Sequence, residues 1–519
     1  MGSSLQLFVS IGLIILSIKA YNSTITYIFQ YICLFRLQLY VFSRYGLIII
    51  LLIAAFWRFY NYPSRWVLNQ DQARDATIAL YSIRSGSLPL LGSPSSAGPF
   101  NFGPLYDYTI ILLTYLLPFV SGPWVGFTLL SLITVYLFYL IGVTLGSRSL
   151  GLILALISAL SSELIFNAPD MLNTVVVAFG VTLTLLMSLK LVTTKRLIYS
   201  LLLGLAAGFT LNNHFQSLGI TTLLALTPFF TPIPLKKKFL SFLLIGLGIV
   251  ITFLPPLIFD LNHRFVWLQS VISYYTGGVN KFWAPTSWRR DLFTFWPQLF
   301  GSTLVGFPLL GWPFLITSAL IPLTLLIKYR LPRPALLLGI YFITQVFLLR
   351  YYPGVRSREY LIAFQPLIIF FFGYSLFVII SKSKIVGTIL LVIFSILSSI
   401  TNLKYIHNQS QAALIFNLKT SIDAQAKLPI ALYSDKSSNM VSLPVFYLLY
   451  RNNQISTNGT PVLACINCSY PEYKLITSQS LSPTQTYYLY QLPISATTNP
   501  LFFHLTPELI FSWLYINYP

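Results

Sequence analysis

In the run Asn69-Gln70-Asp71-Gln72-Ala73-Arg74-Asp75, two carboxylates bracket a guanidinium just after an apolar stretch over residues 46–59. A carboxylate can take a proton from a nucleophile or offer oxygens to a divalent cation, and arginine grips an anion in a fixed fork. Taken alone, such a run reads as a solvated loop with an internal ion pair. Only 8% of the 519 residues are charged, however. Two acids and an arginine at a bilayer surface are costly in such a chain, which points to chemistry on a lipid-borne substrate.

Other chemistry-bearing residues stand at the ends of other apolar runs. They are Asn167-Ala168-Pro169-Asp170, Asn212-Asn213-His214, Asp260-Leu261-Asn262-His263-Arg264, and the stretch 350–360 with Arg356, Arg358 and Tyr360. A further segment, Gly103-Pro104-Leu105-Tyr106-Asp107-Tyr108, opens an apolar stretch that ends near residue 120. Cys33 lies in apolar sequence, and Cys465-Ile466-Asn467-Cys468 is a lone CxxC. Without a second pair it is no zinc site, and a disulfide or two free thiols are the readings left open.

The elements that must position these groups follow from composition. With 56% hydrophobic and 16% aromatic residues and a mean hydropathy of +0.75, the chain exceeds what a soluble core absorbs. Apolar runs recur at 46–60, 124–145, 150–166, 172–189, 197–211, 217–230, 239–259, 303–327, 335–349, 361–380 and 385–400. The expected fold is an α-helical polytopic membrane protein of about 11 core spans.

The net charge of +20 lies in short clusters between these runs, not on one soluble face, which argues against nucleic acid as a partner. With residue 46 at the cytoplasmic end, Arg148, Lys190, Lys195, Arg196, Lys236, Lys237, Lys238, Lys328, Arg330, Arg333, Lys382 and Lys384 all fall inside. The 12 acidic residues then fall outside or at the outer end of a span. This count requires 106–120, broken by Pro104 and Pro118, to lie in the outer interface as a juxtamembrane helix.

Three parts are expected: an apolar N-terminal extension over 1–45, a transmembrane core over 46–400, and an outward α/β domain over 401–519. In the last, 428–434, 473–476 and 487–492 read as strands and 443–450 as a helix. The loop 260–301 carries Trp267, Trp283, Trp288 and Trp296, with a break at Gly277-Gly278, and reads as an interfacial aromatic belt.

Taken in order, these motifs resemble those of the GT-C glycosyltransferases that use polyprenyl-phosphate sugars, a group including protein O-mannosyltransferases and the lipid A aminoarabinose transferase. The resemblance spans 46–400 and rests on Asp71-Gln72-Ala73-Arg74-Asp75 after the first span, Gly103-Pro104-Leu105-Tyr106-Asp107-Tyr108, and Asp170 after the third. It departs at Gln72, where family members often carry Glu, so a second acid would have to be Asp75 or Asp170. The resemblance implies transfer of a sugar from a polyprenyl-phosphate donor to an extracytoplasmic protein, lipid or cell-envelope glycan, with inversion. Asp71 is then the candidate base, with Asp170 and Asp75 beside it. Arg356 and Arg358, with Arg74 and Arg264 as alternates, would hold the phosphate, and Tyr106, His214 and Tyr360 would contact substrate. Some branches bind a divalent cation, magnesium or manganese, for which Asp71 and Asp75 are the candidate oxygen ligands. The competing reading is a lipid or solute transporter or flippase, which predicts internal repeats and mid-span polar residues.

Overall fold

The computed structural model describes residues 45–95, 98–276, 287–328, 331–352, 356, 358–406, 411–435, 437–482, 485–498 and 500–515. The chain forms two compact units, 1–52 and 53–519. Of the first, the described part is the opening of the helix Tyr45–Phe59. The rest of the N-terminal extension, Gly277-Gly278 and Trp283 lie outside the described residues.

Among the described residues six helices are long and apolar enough to cross a membrane: Gly122–Thr144, Asn173–Thr194, Pro308–Ile327, Arg333–Arg350, Arg358–Lys382 and Lys384–Lys404. The pair Leu235–Thr252 and Leu254–Asn262, bent by 64°, makes a seventh when counted as one span. Pro255 and Pro256 open its second segment, where they cannot continue the preceding ladder. The apolar helices Tyr45–Phe59, Arg148–Leu160, Ile198–Asn213 and Phe215–Phe230 are shorter. The chain is thus a multi-pass membrane protein.

Two expected spans prove to be interrupted. The run 303–327 divides into Trp296–Val305 and Gly311–Ile327 at Gly306, whose φ of +71° is left-handed and whose absent Cβ would fall 2.4 Å from Thr401 Cγ2. The run 150–166 breaks at Ser161, between Arg148–Leu160 and Ser162–Asn167. A broken helix leaves carbonyls without partners. Here Arg58, fully buried, donates to Ala159 O at 3.1 Å and Ser158 O at 3.3 Å, Asn402 donates to Leu160 O at 3.1 Å, and Arg65 donates to Ile165 O at 2.8 Å.

Outside the long helices, Gln70–Ser85 and Leu105–Leu116 form a helical pair that carries Asp71, Asp75 and Asp107. The second has 12 residues. At ~1.5 Å per residue it reaches only ~18 Å, short of the ~30 Å hydrocarbon core, as the expected juxtamembrane helix must be.

The C-terminal part carries a five-stranded sheet in the order β3-β4-β2-β1-β5, with β1 Ile430–Ser434, β2 Thr460–Ile466, β3 Lys474–Ser482, β4 Gln485–Gln491 and β5 Phe503–His504. β1 and β2 are parallel, joined across the helix Asn439–Arg451, and the other pairs are antiparallel. Strand β2 and the helix Gln411–Gln425 are additions to the sequence reading. A short apolar run opened by Thr460-Pro461 carries no alternation to mark it as a strand. Cys465, at the end of β2, is disulfide-bonded to Cys468.

The core of this domain is continuous with the first outer loop. Trp66, Ile78, Tyr106 and Trp124 bury in the same apolar cluster as Phe446, Tyr447, Leu505 and Ile510. Polar contacts lock the seam. Tyr447 OH donates to Val120 O at 2.9 Å, Arg84 donates to Tyr450 O at 3.0 Å, and Asn101 donates to Leu514 O at 2.7 Å.

Candidate active site

The helix Gln70–Ser85 begins with a capping box that fixes the acidic run. Asn69 Oδ1 accepts from the N–H of Asp71 at 3.0 Å and of Gln72 at 3.3 Å, and Gln72 Oε1 accepts from Asn69 N–H at 2.9 Å. The carboxylate of Asp71 thereby rests in the first turn, where the helix dipole favours negative charge. Gln72 also turns its amide N–H to Asp170 Oδ1. This double role gives a physical reason for the departure from Asp-Glu: a glutamate here could accept from the cap but would repel Asp170, whereas an amide both accepts and donates.

Arg74 binds both neighbouring acids. Its Nε donates to Asp75 Oδ1 at 2.7 Å, its Nη1 to Asp71 Oδ1 at 3.0 Å, and its Nη2 to Ser93 Oγ at 3.3 Å. The two carboxylates differ in access, since the Asp71 side chain is 47% exposed and that of Asp75 only 3%. Burial pushes the Asp75 carboxyl up, with Arg74 opposing. Arg74 supplies the positive charge that a metal between Asp71 and Asp75 would supply. Among the described residues no group of three or more His, Cys, Asp or Glu is arranged to hold a metal ion, and the Asp71 and Asp75 oxygens that the resemblance offers to a cation pair with Arg74.

Asp107 is buried beside them, and among the described residues both its oxygens are without a hydrogen-bond partner. Burial raises its carboxyl well above the usual range, the charge on Asp75 adding to the effect and Arg74 opposing it. The loop closes tightly here: a Cβ on Gly92 would fall 2.3 Å from Gly103 O and 3.1 Å from Asp107 Oδ2. Tyr106 OH donates to Met171 O at 2.8 Å, tying the juxtamembrane helix to the Asp170 loop. Asp170 is pushed up to about 7, by burial first, with Gln72 opposing and Glu359 adding.

Next to Asp170, Asn173 donates to Asn213 O at 3.1 Å, which brings the end of Ile198–Asn213 to the acids. His214 follows, its ring 4.7 Å from that of Phe102 and 5.1 Å from that of Tyr360. Its Nδ1 accepts from Gln216 N–H at 3.1 Å, which leaves the proton on Nε2, and burial pushes its pKa down to about 3.

The two arginines expected to clamp a phosphate diverge. Arg356 donates to Asp291 Oδ1 at 3.0 Å, and Arg350 stands 3.1 Å from the other oxygen of the same carboxylate. Arg358 Nε donates to both oxygens of Glu163, at 2.8 and 2.7 Å. Arg264 is exposed at the turn after Leu254–Asn262, and among the described residues no hydrogen bond joins its side chain to the acids. Of the expected residues, Asp71, Arg74, Asp75, Tyr106, Asp170, His214 and Tyr360 are linked through these contacts, while Arg264 is not. Gln72, Asp107, Glu163, Asp291 and Arg350 are additions. The Asn69-x-x-Gln72 spacing is a capping-box signal that marks the first of them.

No protein-family model and no curated protein matches the sequence. Among solved structures the architecture is that of the GT-C glycosyltransferases. It is similar to ArnT from Cupriavidus metallidurans in the apo state, with a TM-score of 0.61, 10% identity, and coverage of 86% of this chain and 98% of that one. The same protein bound to undecaprenyl phosphate matches with a TM-score of 0.57 at 11% identity, over 86% and 98% of the two chains. An Archaeoglobus fulgidus oligosaccharyltransferase gives a TM-score of 0.48 at 12% identity, covering 74% of this chain, which spans 58% of that protein's length.

Proposed function

We propose that this chain is a membrane glycosyltransferase that moves a hexosyl or pentosyl group from a polyprenyl-phosphate donor to an acceptor outside the plasma membrane, with inversion. The observation that carries it is the contrast in access among the acids: Asp71 is half-exposed at a helix N-terminus, while Asp75 and Asp107 are buried behind it. An acceptor hydroxyl can reach Asp71. The acceptor oxygen bonds to the anomeric carbon as its proton passes to Asp71, and the bond from that carbon to the phosphate oxygen breaks with its electron pair, releasing polyprenyl phosphate. Arg74 holds Asp71 in place, Asp170 orients acceptor or sugar, and Arg350, Arg356 and Arg358 offer the phosphate planar donors. ArnT, whose fold is similar, has been solved with undecaprenyl phosphate, a lipid of the proposed class. The acceptor class remains protein, lipid or envelope glycan.

The test is transfer of labelled sugar from polyprenyl-phosphate donors by the protein in liposomes. Asp71→Asn removes the proton acceptor at constant size, and turnover should fall by roughly two to four orders of magnitude with donor binding retained. Near wild-type transfer by Asp71→Asn would refute its role as base. Movement of a solute across the bilayer without any sugar transfer would replace the whole reading with that of a transporter.

A further inference from the structure

Beside the acids lies a group of carboxamides whose hydrogen-bonding capacity is unused. Asn213 Oδ1, both amide atoms of Gln216, and Gln345 Oε1 are buried without partners among the described residues. These groups belong together: Gln345 Nε2 donates to Gln216 O, Gln216 N–H donates to His214 Nδ1, and Asn213 O accepts from Asn173. Gly219 makes room for the Gln345 amide, since a Cβ there would fall 2.0 Å from Oε1. Buried amides left unsatisfied are rare, and several in one place mark a spot meant to bind something polar.

Position supplies the second argument. On one side the Asn213 carbonyl accepts from Asn173, three residues after Asp170 in the chain. On the other, Gln345 lies on the helix Arg333–Arg350, five residues before Arg350 and so ~7.5 Å along it from the arginine that meets Asp291. In a sugar phosphate the sugar must lie between the acid side and the phosphate side of the site. The half-buried rings of His214 and Tyr360 give this place an aromatic wall, of the kind that packs on the apolar face of a ligand carrying polar groups at its edge. Its unused groups are neutral, with carbonyl acceptors and N–H donors, and the ionisable group on its acid side is the Asp170 carboxyl.

We propose that Asn213, Gln216 and Gln345 read the hydroxyls of the donor sugar, and that this sugar carries no carboxylate. The proposal rests on the glycosyltransferase reading above. It disfavours a uronic acid, because an ionised carboxylate buried among amides and facing Asp170 gains no counter-charge there.

The experiment measures binding to the full chain in nanodiscs of undecaprenyl phosphate, of its neutral hexose and pentose conjugates, and of its amino-sugar and uronic-acid conjugates. At least one neutral conjugate should bind about tenfold or more tighter than undecaprenyl phosphate itself, as a site built to bond hydroxyls does. Gln345→Leu and Gln216→Leu should each abolish that advantage and leave binding of undecaprenyl phosphate unchanged, while Gln345→Asn, with its shorter amide, should retain part of it. Equal weakening of all lipids by these variants would make the amides structural and overturn the proposal. Tightest binding of the uronic-acid conjugate would overturn it as well. Failure to bind any of these lipids would instead remove the glycosyltransferase reading on which the proposal stands. Should Gln345→Leu not fold, Gln216→Leu carries the same comparison.

Discussion

Asp291 holds two arginines at once: Arg356 Nη1 donates to one carboxylate oxygen at 3.0 Å and Arg350 Nη1 lies 3.1 Å from the other. A carboxylate between two guanidinium forks has the charge and lone-pair geometry that a phosphate would present to them. Asp291→Asn leaves both cations in a buried setting without their counter-charge, a loss of about 3–5 kcal/mol when a buried pair is broken from one side. The melting temperature of the variant should fall. Added undecaprenyl phosphate should restore a larger share of stability in the variant than it adds to the wild type, because a ligand stabilises the form that binds it. Equal stabilisation of both proteins would remove these arginines from the phosphate site.

Asp170 gives the site a pH signature. Its carboxyl, pushed up to about 7 in the folded protein, keeps its proton where an unfolded chain releases it near about 4. Its contribution to stability is therefore fully present below about 4 and is lost as pH rises through about 7. Transfer that uses the ionised carboxylate runs the other way, so kcat/KM should rise with pH along a limb near 7. Asp170→Asn should abolish the limb. Gln72→Leu deletes the amide that favours the carboxylate and should move the limb to higher pH. A limb unchanged in Asp170→Asn assigns it to another group.

Topology is open to labelling. Ser87, Ser383 and Ser437 are exposed, whereas Ser93 is buried against Arg74 and Asp75 and makes a poor probe. In a Cys33→Ser background, cysteines at Ser87 and Ser437 should react with an impermeant maleimide in intact cells, and one at Ser383 should react only after lysis. Labelling of Ser383→Cys alone would place the acids on the cytoplasmic side and end the proposed use of an external acceptor.

Arg58 tests what holds the bundle at its broken helix. Its guanidinium meets Ser131 Oγ at 2.9 Å as well as the carbonyls of Ser158 and Ala159. Arg58→Leu orphans those carbonyls at about 1–3 kcal/mol each. Thermal stability should drop sharply, Arg58→Lys should recover part of it, and the apparent donor KM should stay the same. A donor KM that shifts while stability holds would make Arg58 part of the substrate path.

What the sequence made legible was local. Apolar runs mark helices wherever they are continuous, and polar residues at their ends mark the surface where Asp71, Asp170 and His214 come together. Partners far apart in the chain were not legible. Nothing near Arg358 signals Glu163, 195 residues earlier, and nothing near Gln72 signals Asp170, 98 residues later. Interruptions were hard to see for a different reason. At Ser161 the chain turns polar only over Ser161-Ser162-Glu163 before the apolar run resumes, and the freed carbonyls are served by Arg58 and Asn402 from other helices. In the C-terminal domain β2 is unmarked, since a strand whose middle is buried on both faces lacks the alternation that betrays a half-buried one.

The bond from Asn101 to the carbonyl of Leu514 joins positions 413 residues apart and so couples the first outer loop to a segment synthesised long after it. A ribosome releases the acid-bearing loop before the strands and helices that seal it exist. Until those emerge, Asp71 and its neighbours stand on an open shelf, with Trp66, Ile78 and Trp124 lacking the apolar surface that Phe446 and Ile510 later provide. Closure of the candidate site therefore waits on the C-terminal domain, and a nascent chain arrested before residue 440 would carry the acid-bearing loop without its cover.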